Sequence, residues 1–502
     1  MRAIILSILF TVLCVTAISA ETIDHYYELG ARGYELVLDM RYDAADKIFD
    51  EMIRMEPKNA AGYIYKSQSF FHRWRYTMIE PDKKALAQFK ALLFKSANIA
   101  EKMPDRDNAV TLFILGSAYG NMGFYYANTK NWFRAWWYGR KGIKYIKKAI
   151  KKDPEYYNSY FPLGIYNYYR ATLPKVIKPL SFLLGGEEEG KEKAVEQLRL
   201  ASSKSDLKGD ARIFLADSVY YQEGNFKKAS ALLEELKSEY PDNFYISLAL
   251  AVSYRHLNQY DLSVQTIRSS LRSESIKKFP GLHGDLYYNL GMAYSGMNEY
   301  AKAIMAYKYA CKISKKIKGA IPDHYDVLAL YGIGDAYEMA GSIDKAREYY
   351  SGIKAKDNRS AYESAQARIK NPLTPAQISL IKGRNFLKYA KYSKAETIFK
   401  GLVNPEINKE PVDNTFKAEA CLYLGEAQYH LEEYQNSIRT LIKVFTFRDV
   451  RKKWINPWSH YWLASCYREI GDTERAKQEY DIAYEYDDIE LRSEIDEARN
   501  KM

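Results

Sequence analysis

The stretch LYYNLGMAYSGMNEYAKAIMAYKYACKIS, residues 286–314, carries a regular spacing of small and aromatic side chains. A glycine is followed by a tyrosine three positions later, an alanine twelve positions later and a second tyrosine sixteen positions later. In this stretch the four positions are Gly291, Tyr294, Ala303 and Tyr307. In LALYGIGDAYEMAGSIDKAREYYSGI, residues 328–353, they are Gly334, Tyr337, Ala346 and Tyr350. A sequence repeat therefore organises this part of the chain.

The same frame, with substitutions, occurs elsewhere in the chain. Its first and last positions are Gly33 and Phe49, Gly383 and Phe399, Gly425 and Leu441, and Ala464 and Tyr480. A small residue lets two helices approach closely, and the large residue fills the gap between them. The segments GMNEY and GSID predict turns between the two helices of a pair. Since one pair cannot cover its own apolar face, neighbouring pairs are expected to stack.

This frame resembles the tetratricopeptide repeat (TPR) family, most clearly from Asp206 to Asp488 and again at residues 30–57. The resemblance implies an all-α fold, a right-handed superhelical solenoid of helix pairs. It also implies that the first helix of each pair lines a concave inner surface. That surface would bind segments of other proteins, as a scaffold or assembly adaptor.

The repeat pattern divides the chain unevenly, because the register is stretched between residues 58 and 205. The predicted regions are a signal peptide at 1–20, an N-terminal TPR-like unit with a long helical extension at 21–105, irregular units at 106–205 with an insertion at 172–190, an array at 206–355, a linker at 356–371 and a C-terminal array at 372–502. The apolar part of the insertion suits either an exposed docking hairpin or a buried connection.

The first twenty residues, MRAIILSILFTVLCVTAISA, have the pattern of an export signal. Arg2 precedes an apolar core, and small residues end the segment at Ala20. The core is shorter than the roughly 20 residues of a membrane span, although an uncleaved anchor is the alternative. We expect an exported protein of the bacterial periplasm or envelope. Cys311, Cys421 and Cys466 lack the close spacing of a metal site, so we expect buried thiols with one conceivable pair.

The stretch SFLLGGEEEGKEK, residues 181–193, matches the G-x-x-x-x-G-K skeleton of a nucleotide-binding loop. Such a loop needs Ser or Thr after its lysine, but Glu192 follows Lys191. Three consecutive glutamates would also face the phosphates. We interpret the segment as a helix end followed by the acidic first turn of another helix.

The chain has no catalytic motif. Its seven histidines lack metal-ligand spacing, and none belongs to an H-E-x-x-H arrangement. We therefore predict no enzyme activity, no cofactor, and no catalytic, cofactor-binding or metal-binding residues.

The predicted partner-binding groove consists of aromatic and charged side chains on the first helices of the pairs. They could equally serve packing between repeats. The groove residues are Phe214, Tyr221, Tyr245, Arg255, Tyr288, Tyr331, Tyr429 and Tyr461.

A second hypothesis rests on basic clusters rich in aromatic residues, in a chain of net charge +11. The clusters are FFHRWRY (70–76), NWFRAWWYGRKG (131–142) and KKWINPWSHYW (452–462). Aromatic rings with cations bind sugars, nucleic acid or membrane interfaces. For an exported protein we expect cell-wall glycan or a membrane surface, and no nucleic acid. The alternative is that these tryptophans fill the core of irregular repeats.

Overall fold

A computed structural model describes residues 25–76, 83–172, 190–277, 282–316, 325–404, 406–408, 410–486 and 488–500. Within these ranges every regular element is a helix and no β-strand occurs, so the all-α prediction is confirmed. The signal segment 1–20 lies outside the described residues, as does nearly all of the insertion 172–190.

The described part of the chain contains twenty-five α-helices. They are α1 (25–38), α2 (Tyr42–Met55), α3 (Ala60–Tyr76), α4 (Lys83–Ala100), α5 (Ala109–Asn128), α6 (Trp132–Lys152), α7 (Tyr160–Ala171), α8 (Gly190–Lys204), α9 (Lys208–Phe214), α10 (Phe226–Glu239), α11 (Phe244–His256), α12 (Tyr260–Arg272), α13 (Glu274–Lys277), α14 (His283–Gly296), α15 (Tyr300–Lys316), α16 (Tyr325–Met339), α17 (Ile343–Ser351), α18 (Arg359–Lys370), α19 (Pro375–Lys388), α20 (Tyr392–Val403), α21 (Asn414–His430), α22 (Tyr434–Ile442), α23 (Ile455–Glu469), α24 (Thr473–Tyr484) and α25 (Ile489–Arg499). A π-helical segment, Leu215–Tyr220, continues α9.

The turn between the two helices of a pair contains one residue in the left-handed backbone region. Asn298 has φ 62° in the segment GMNEY, and Gly341 has φ 82° in the segment GSID. This conformation ends a helix and reverses the chain. Both predicted turns are confirmed.

The seam between paired helices has the predicted construction, a small residue against a large one sixteen positions later. A Cβ atom built on Gly291 would lie 2.5 Å from the Tyr307 ring, and one on Gly383 would lie 2.5 Å from the Phe399 ring. The pairs Gly33 with Phe49, Gly334 with Tyr350 and Gly425 with Leu441 repeat the arrangement. Since ordinary Cβ contacts are longer, a side chain at these glycine positions would force the facing large residue to move. Tyr307 also covers Gly332, so one ring joins two consecutive repeats.

The contacts between residues divide the chain into two compact units. The first comprises the described parts of Met1–Leu257, Gln265–Leu286 and Ile313–Pro322. The second comprises the described parts of Asn258–Val264, Tyr287–Lys312 and Asp323–Met502.

In the first unit, α1 packs on residues about 200 positions further along the chain. Leu38 is buried in one cluster with Ile213, Leu233 and Ile246. A Cβ atom on Gly209 would lie 2.5 Å from Leu38 Cδ1. Hydrogen bonds also connect α1 to this part of the chain. The Tyr240 hydroxyl donates to Glu35 (2.7 Å), and the Asn243 side-chain amide donates to the Leu38 carbonyl (2.6 Å). The first helix thus closes the unit onto α9–α11.

In the second unit, the segment 356–371, predicted as a linker, contains α18. Its residues Ala361 and Ala365 are buried against Tyr350. Glu338, also buried, accepts hydrogen bonds from the Tyr350 hydroxyl (2.9 Å) and the Leu373 backbone N–H (2.7 Å). Helix α18 is therefore part of the packed core, and its Arg368 forms an ion pair with Glu338 of α16 (3.5 Å).

Two smaller expectations concern cysteines and the loop resembling a nucleotide site. Cys311, Cys421 and Cys466 are buried, so the expected burial is confirmed, and no disulfide forms among them. Residues 181–189 lie outside the described residues. Lys191, at the start of α8, forms an ion pair with Glu223 (2.8 Å).

Candidate partner-binding surface

Four of the predicted groove residues lie on α9–α11 of the first unit, and each contacts other side chains. Phe214 packs edge-on against Tyr168 and Tyr169 of α7. The Tyr245 hydroxyl donates to Asp217 in the π-helical segment (2.5 Å). Tyr221 and Arg255 meet at one imidazole, with the Tyr221 hydroxyl 3.1 Å and Arg255 Nη2 3.4 Å from His256 Nε2. All four predicted side chains are half-buried.

Tyr288 and Tyr331, in the second unit, lie against the large residues of the seams. The Tyr288 ring centroid is 5.8 Å from that of Tyr307, and the Tyr331 centroid is 5.4 Å from that of Tyr350. Burial raises the pKa of Tyr331, so its hydroxyl stays neutral. Both residues therefore support the packing of their repeats.

Tyr429 and Tyr461 both contact Trp462. Their ring centroids are 5.0 and 5.1 Å from that of Trp462, which is half-buried. The exposed His430 ring contacts Trp462 at 5.3 Å and stacks on Tyr392 at 4.4 Å. We call Tyr392, Tyr429, His430, Tyr461 and Trp462 the aromatic patch. It brings together α20, α21 and α23.

Hydrogen bonds orient the rings of the aromatic patch. Arg468 donates to the Tyr429 hydroxyl at 3.3 Å, and that hydroxyl lies 3.4 Å from a Glu469 carboxylate oxygen. Burial and the Glu469 charge raise the pKa of Tyr429 to about 12, so the phenol remains a neutral donor. The patch thus offers large apolar faces with polar groups at its edge, which is the composition of protein-binding hot spots.

Glu426 supplies a titratable group one turn before His430 on α21. Burial raises the pKa of its carboxyl to about 7 from 4.5, although Arg384 and Lys388 on α19 partly oppose the shift. Near neutral pH this side chain is therefore partly protonated. A cationic group of a bound partner would favour the ionised form.

We expect the protein to lose stability as the pH rises from about 4.5 to 7, because the folded state holds a proton on Glu426 that the unfolded state releases. In Glu426→Gln this part of the pH dependence should disappear. The variant should be more stable than the wild type at pH 8 by up to about 3 kcal/mol. Urea unfolding at pH 5 and pH 8 measures both effects. The exposed Glu474→Gln is the control, and an unchanged pH dependence in Glu426→Gln would contradict this assignment.

The sequence predicts two of the five residues of the aromatic patch, Tyr429 and Tyr461, as groove residues. Trp462 belongs to a Trp-rich cluster of the sequence. No sequence motif marks His430 or Tyr392 as part of a binding surface. Their proximity depends on the rotation between consecutive pairs, which a single repeat does not encode.

The three basic aromatic clusters differ in how far their aromatic side chains are buried. In the first, Trp74 is buried at 5% exposure. In the third, Trp454, Trp458 and Trp462 pack against the core around Leu441. In the second, Trp132 is 68% and Phe133 74% exposed. Core filling therefore accounts for Trp74 and much of the third cluster, but does not account for the second.

A charged groove of about 830 Å³ lies where α1 and α2 meet the end of α10. Arg32, Glu35, Asp39 and Lys47 line it together with Glu239. Since both signs of charge alternate there, the lining selects no single ligand class.

In the described part of the chain no three His, Cys, Asp or Glu side chains are placed to hold a metal ion. Nor does any helix in those ranges combine the length and apolar character needed to cross a bilayer.

Comparison with protein families finds tetratricopeptide repeat models at four places. They match residues 284–317, 218–281, 328–357 and 458–486. A related sequence is the TPR repeat-containing protein YpiA of Bacillus subtilis (strain 168), 22% identical over 306 residues. The match covers 58% of this chain and 67% of the relative.

Solved structures align with the chain at low similarity. The human IFIT1 dimer with m7Gppp-AAAA aligns with 92% of this chain and 94% of its own, at 15% identity and a TM-score of 0.32. The APC/C hetero-tetramer Cut9-Hcn1 covers the same shares at 14% identity and a TM-score of 0.27. A tetratricopeptide repeat protein from Parabacteroides merdae ATCC 43184 aligns with 58% of this chain and 98% of its own, at 14% identity and a TM-score of 0.24.

Proposed function

We propose that this chain, a tetratricopeptide repeat protein, is a protein–protein interaction scaffold of the bacterial cell envelope that binds a partner segment at the aromatic patch. Repeats of this family indicate a scaffold for protein interactions. The envelope location is supported by the export-like pattern of residues 1–20, and the binding site by the geometry of the patch.

The observation that carries the proposal is the contact of Trp462 with both Tyr429 and Tyr461, beside the exposed ring of His430. Rigid aromatic side chains provide contact area at a low entropic cost, because they have few rotatable bonds. The charged side chains nearby, Arg468 and Glu469, would form a polar rim. The site suits an extended or helical peptide segment with an apolar anchor and a cationic group near Glu426.

In vivo photocross-linking tests the proposal. A photoreactive amino acid at position 430 should form an adduct with a protein of the envelope fraction. The same amino acid at the exposed Lys394 on α20 should give no such adduct. Failure to recover any protein from position 430 would contradict the scaffold function. An adduct with a cytoplasmic protein would contradict only the location.

The recovered partner then allows a quantitative test. His430→Ala combined with Trp462→Phe should weaken its binding at least tenfold, since hot-spot residues contribute about 2 kcal/mol or more. Ile482→Ala, a change at an exposed apolar residue of α24, should leave binding unchanged. Equal affinity of the two variants would exclude the patch as the binding site.

A further inference from the structure

The hairpin formed by α5 and α6 concentrates positive charge. Residues 109–152 contain nine Lys and Arg and no Asp or Glu, a net charge of +9, whereas the whole chain carries +11. Most of the excess charge of the protein therefore belongs to these 44 residues. Such a field attracts polyanions and anionic surfaces.

The exposed face of α6 carries two kinds of side chain in separate parts. At its start lie Trp132, Phe133 and Trp137, which are 68%, 74% and 46% exposed. We call these three residues the aromatic tip. Further along, Arg140, Lys144, Lys148 and Lys151 are all exposed. We call these four residues the basic stripe.

Helix periodicity places Phe133, Trp137 and the basic stripe on one face of α6, and Trp132 adjoins Phe133 at the start of the helix. From Phe133 to Trp137 and along the basic stripe, successive residues are three or four positions apart, so they project from the same side of the helix. The stripe extends over about 16 Å of helix axis. The opposite face, with Ile146 and Ala149, is buried. The basic aromatic face therefore remains open while α6 is fully packed.

Among the described residues, no carboxylate forms an ion pair with a residue of the basic stripe. Glu101 pairs with Lys141 (3.2 Å), and Asp107 pairs with Lys152 (2.8 Å). Both lysines flank the stripe rather than belong to it. The hairpin is also firmly supported, because a Cβ atom on Gly142 of α6 would lie 2.6 Å from the backbone nitrogen of Gly120 in α5.

The geometry points to a docking surface for an anionic phospholipid bilayer, with the aromatic tip entering the interface and the basic stripe facing the headgroups. Tryptophan favours the membrane–water interface because its ring is apolar and its N–H is polar. A basic surface next to inserted apolar groups supplies the two signals that stable peripheral attachment requires. This inference does not depend on the proposed scaffold function.

The grouping of the rings favours lipid over nucleic acid. Proteins that bind single strands distribute stacking rings along a charged groove, so that successive bases meet successive rings. Here the exposed rings occupy the first two turns of α6, directly after the exposed turn at Thr129–Asn131, and the basic stripe follows them. That order matches insertion of one end into an interface.

Vesicle co-flotation with the purified chain tests the inference. Vesicles of equal parts phosphatidylglycerol and phosphatidylcholine should bind the protein at 50 mM salt, and vesicles of phosphatidylcholine alone should not. Raising the salt to 500 mM should release most of the protein. Equal binding to both vesicle types, or no binding to either, would overturn the inference.

Serine substitution of the aromatic tip (Trp132→Ser, Phe133→Ser and Trp137→Ser together) should weaken vesicle binding at least tenfold. These residues are exposed, so the fold should be preserved, and circular dichroism checks this. A matched variant replaces three exposed apolar residues elsewhere and should bind as the wild type does. Its changes are Met305→Ser, Tyr309→Ser and Ile407→Ser.

Charge reversal tests the basic stripe separately. Lys144→Glu, Lys148→Glu and Lys151→Glu together should abolish the preference for anionic vesicles. The matched control reverses three exposed lysines elsewhere, Lys354, Lys356 and Lys477, and should retain that preference.

Three results would overturn the lipid assignment. The first is undiminished vesicle binding by the tip variant. The second is tighter binding to a single-stranded oligonucleotide, lost in the tip variant, which would assign the surface to nucleic acid. The third is tip-dependent binding to purified peptidoglycan without vesicle binding. None of these changes the cross-linking expected at position 430, so the two proposals fail separately.

Discussion

Tyr307→Ala should lower the free energy of unfolding of the second unit by about 3–5 kcal/mol, the usual cost of truncating a buried aromatic residue. Tyr307 is 4% exposed, and its ring covers both Gly291 and Gly332. Removing the ring leaves a cavity in two seams at once. Because the helices are held close by glycine, neighbouring side chains have little freedom to fill it.

Urea unfolding and hydrogen exchange of α14–α17 measure this loss. Met305→Ala provides the control, since Met305 lies on the same helix and is 61% exposed. It should change stability by less than about 0.5 kcal/mol. Tyr307→Leu should recover part of the loss, because Leu441 fills the equivalent position against Gly425. Equal stability of Tyr307→Ala and Met305→Ala would contradict the seam model.

Leu38→Ala should destabilise the first unit by about 2–5 kcal/mol and release α1. Leu38 is buried at the contact between α1 and Gly209, and its carbonyl accepts the hydrogen bond from Asn243. If α1 separates, the polar contacts of Tyr240 and Asn243 are lost with it. Deprotection should therefore appear in two distant segments of the chain.

Hydrogen exchange distinguishes this coupled loss from a local defect. In Leu38→Ala, amide protection should fall both in residues 25–38 and in residues 208–243, while α20–α24 remain as in the wild type. Arg32→Ala, at an exposed position on α1, should retain protection throughout. Loss restricted to the neighbourhood of position 38 would show that α1 does not close the unit.

The eight predicted groove residues show which features of a binding surface a sequence pattern can predict. The predicted positions belong to the first helices of the pairs, and all eight side chains are half-buried. Tyr288, Tyr331 and Tyr461 all contact the large residues of their seams, Tyr307, Tyr350 and Tyr480. Tyr461 also contacts Trp462, which Tyr429 of α21 contacts as well. A tyrosine at this repeat position therefore supports packing, and it becomes part of a larger aromatic surface only where a neighbouring repeat adds further rings.

The exposure of the basic aromatic clusters also depends on tertiary structure. Their compositions are similar, yet Trp74 is buried and Trp132 is exposed. Composition predicts that such side chains either fill a core or meet a ligand. Only the position of the surrounding helices distinguishes the two outcomes.

The amino-acid sequence alone determined the helix pairs, their turns and their seams, because these depend on residues no more than about one repeat apart. A glycine and the large residue sixteen positions later belong to the same hairpin, so their contact is visible as a spacing. The return of α1 onto residues 208–243 was decided only by the tertiary structure, as were the aromatic patch and the open face of α6. These features depend on rotations between successive pairs, which add up along the chain and leave no periodic signal in the sequence.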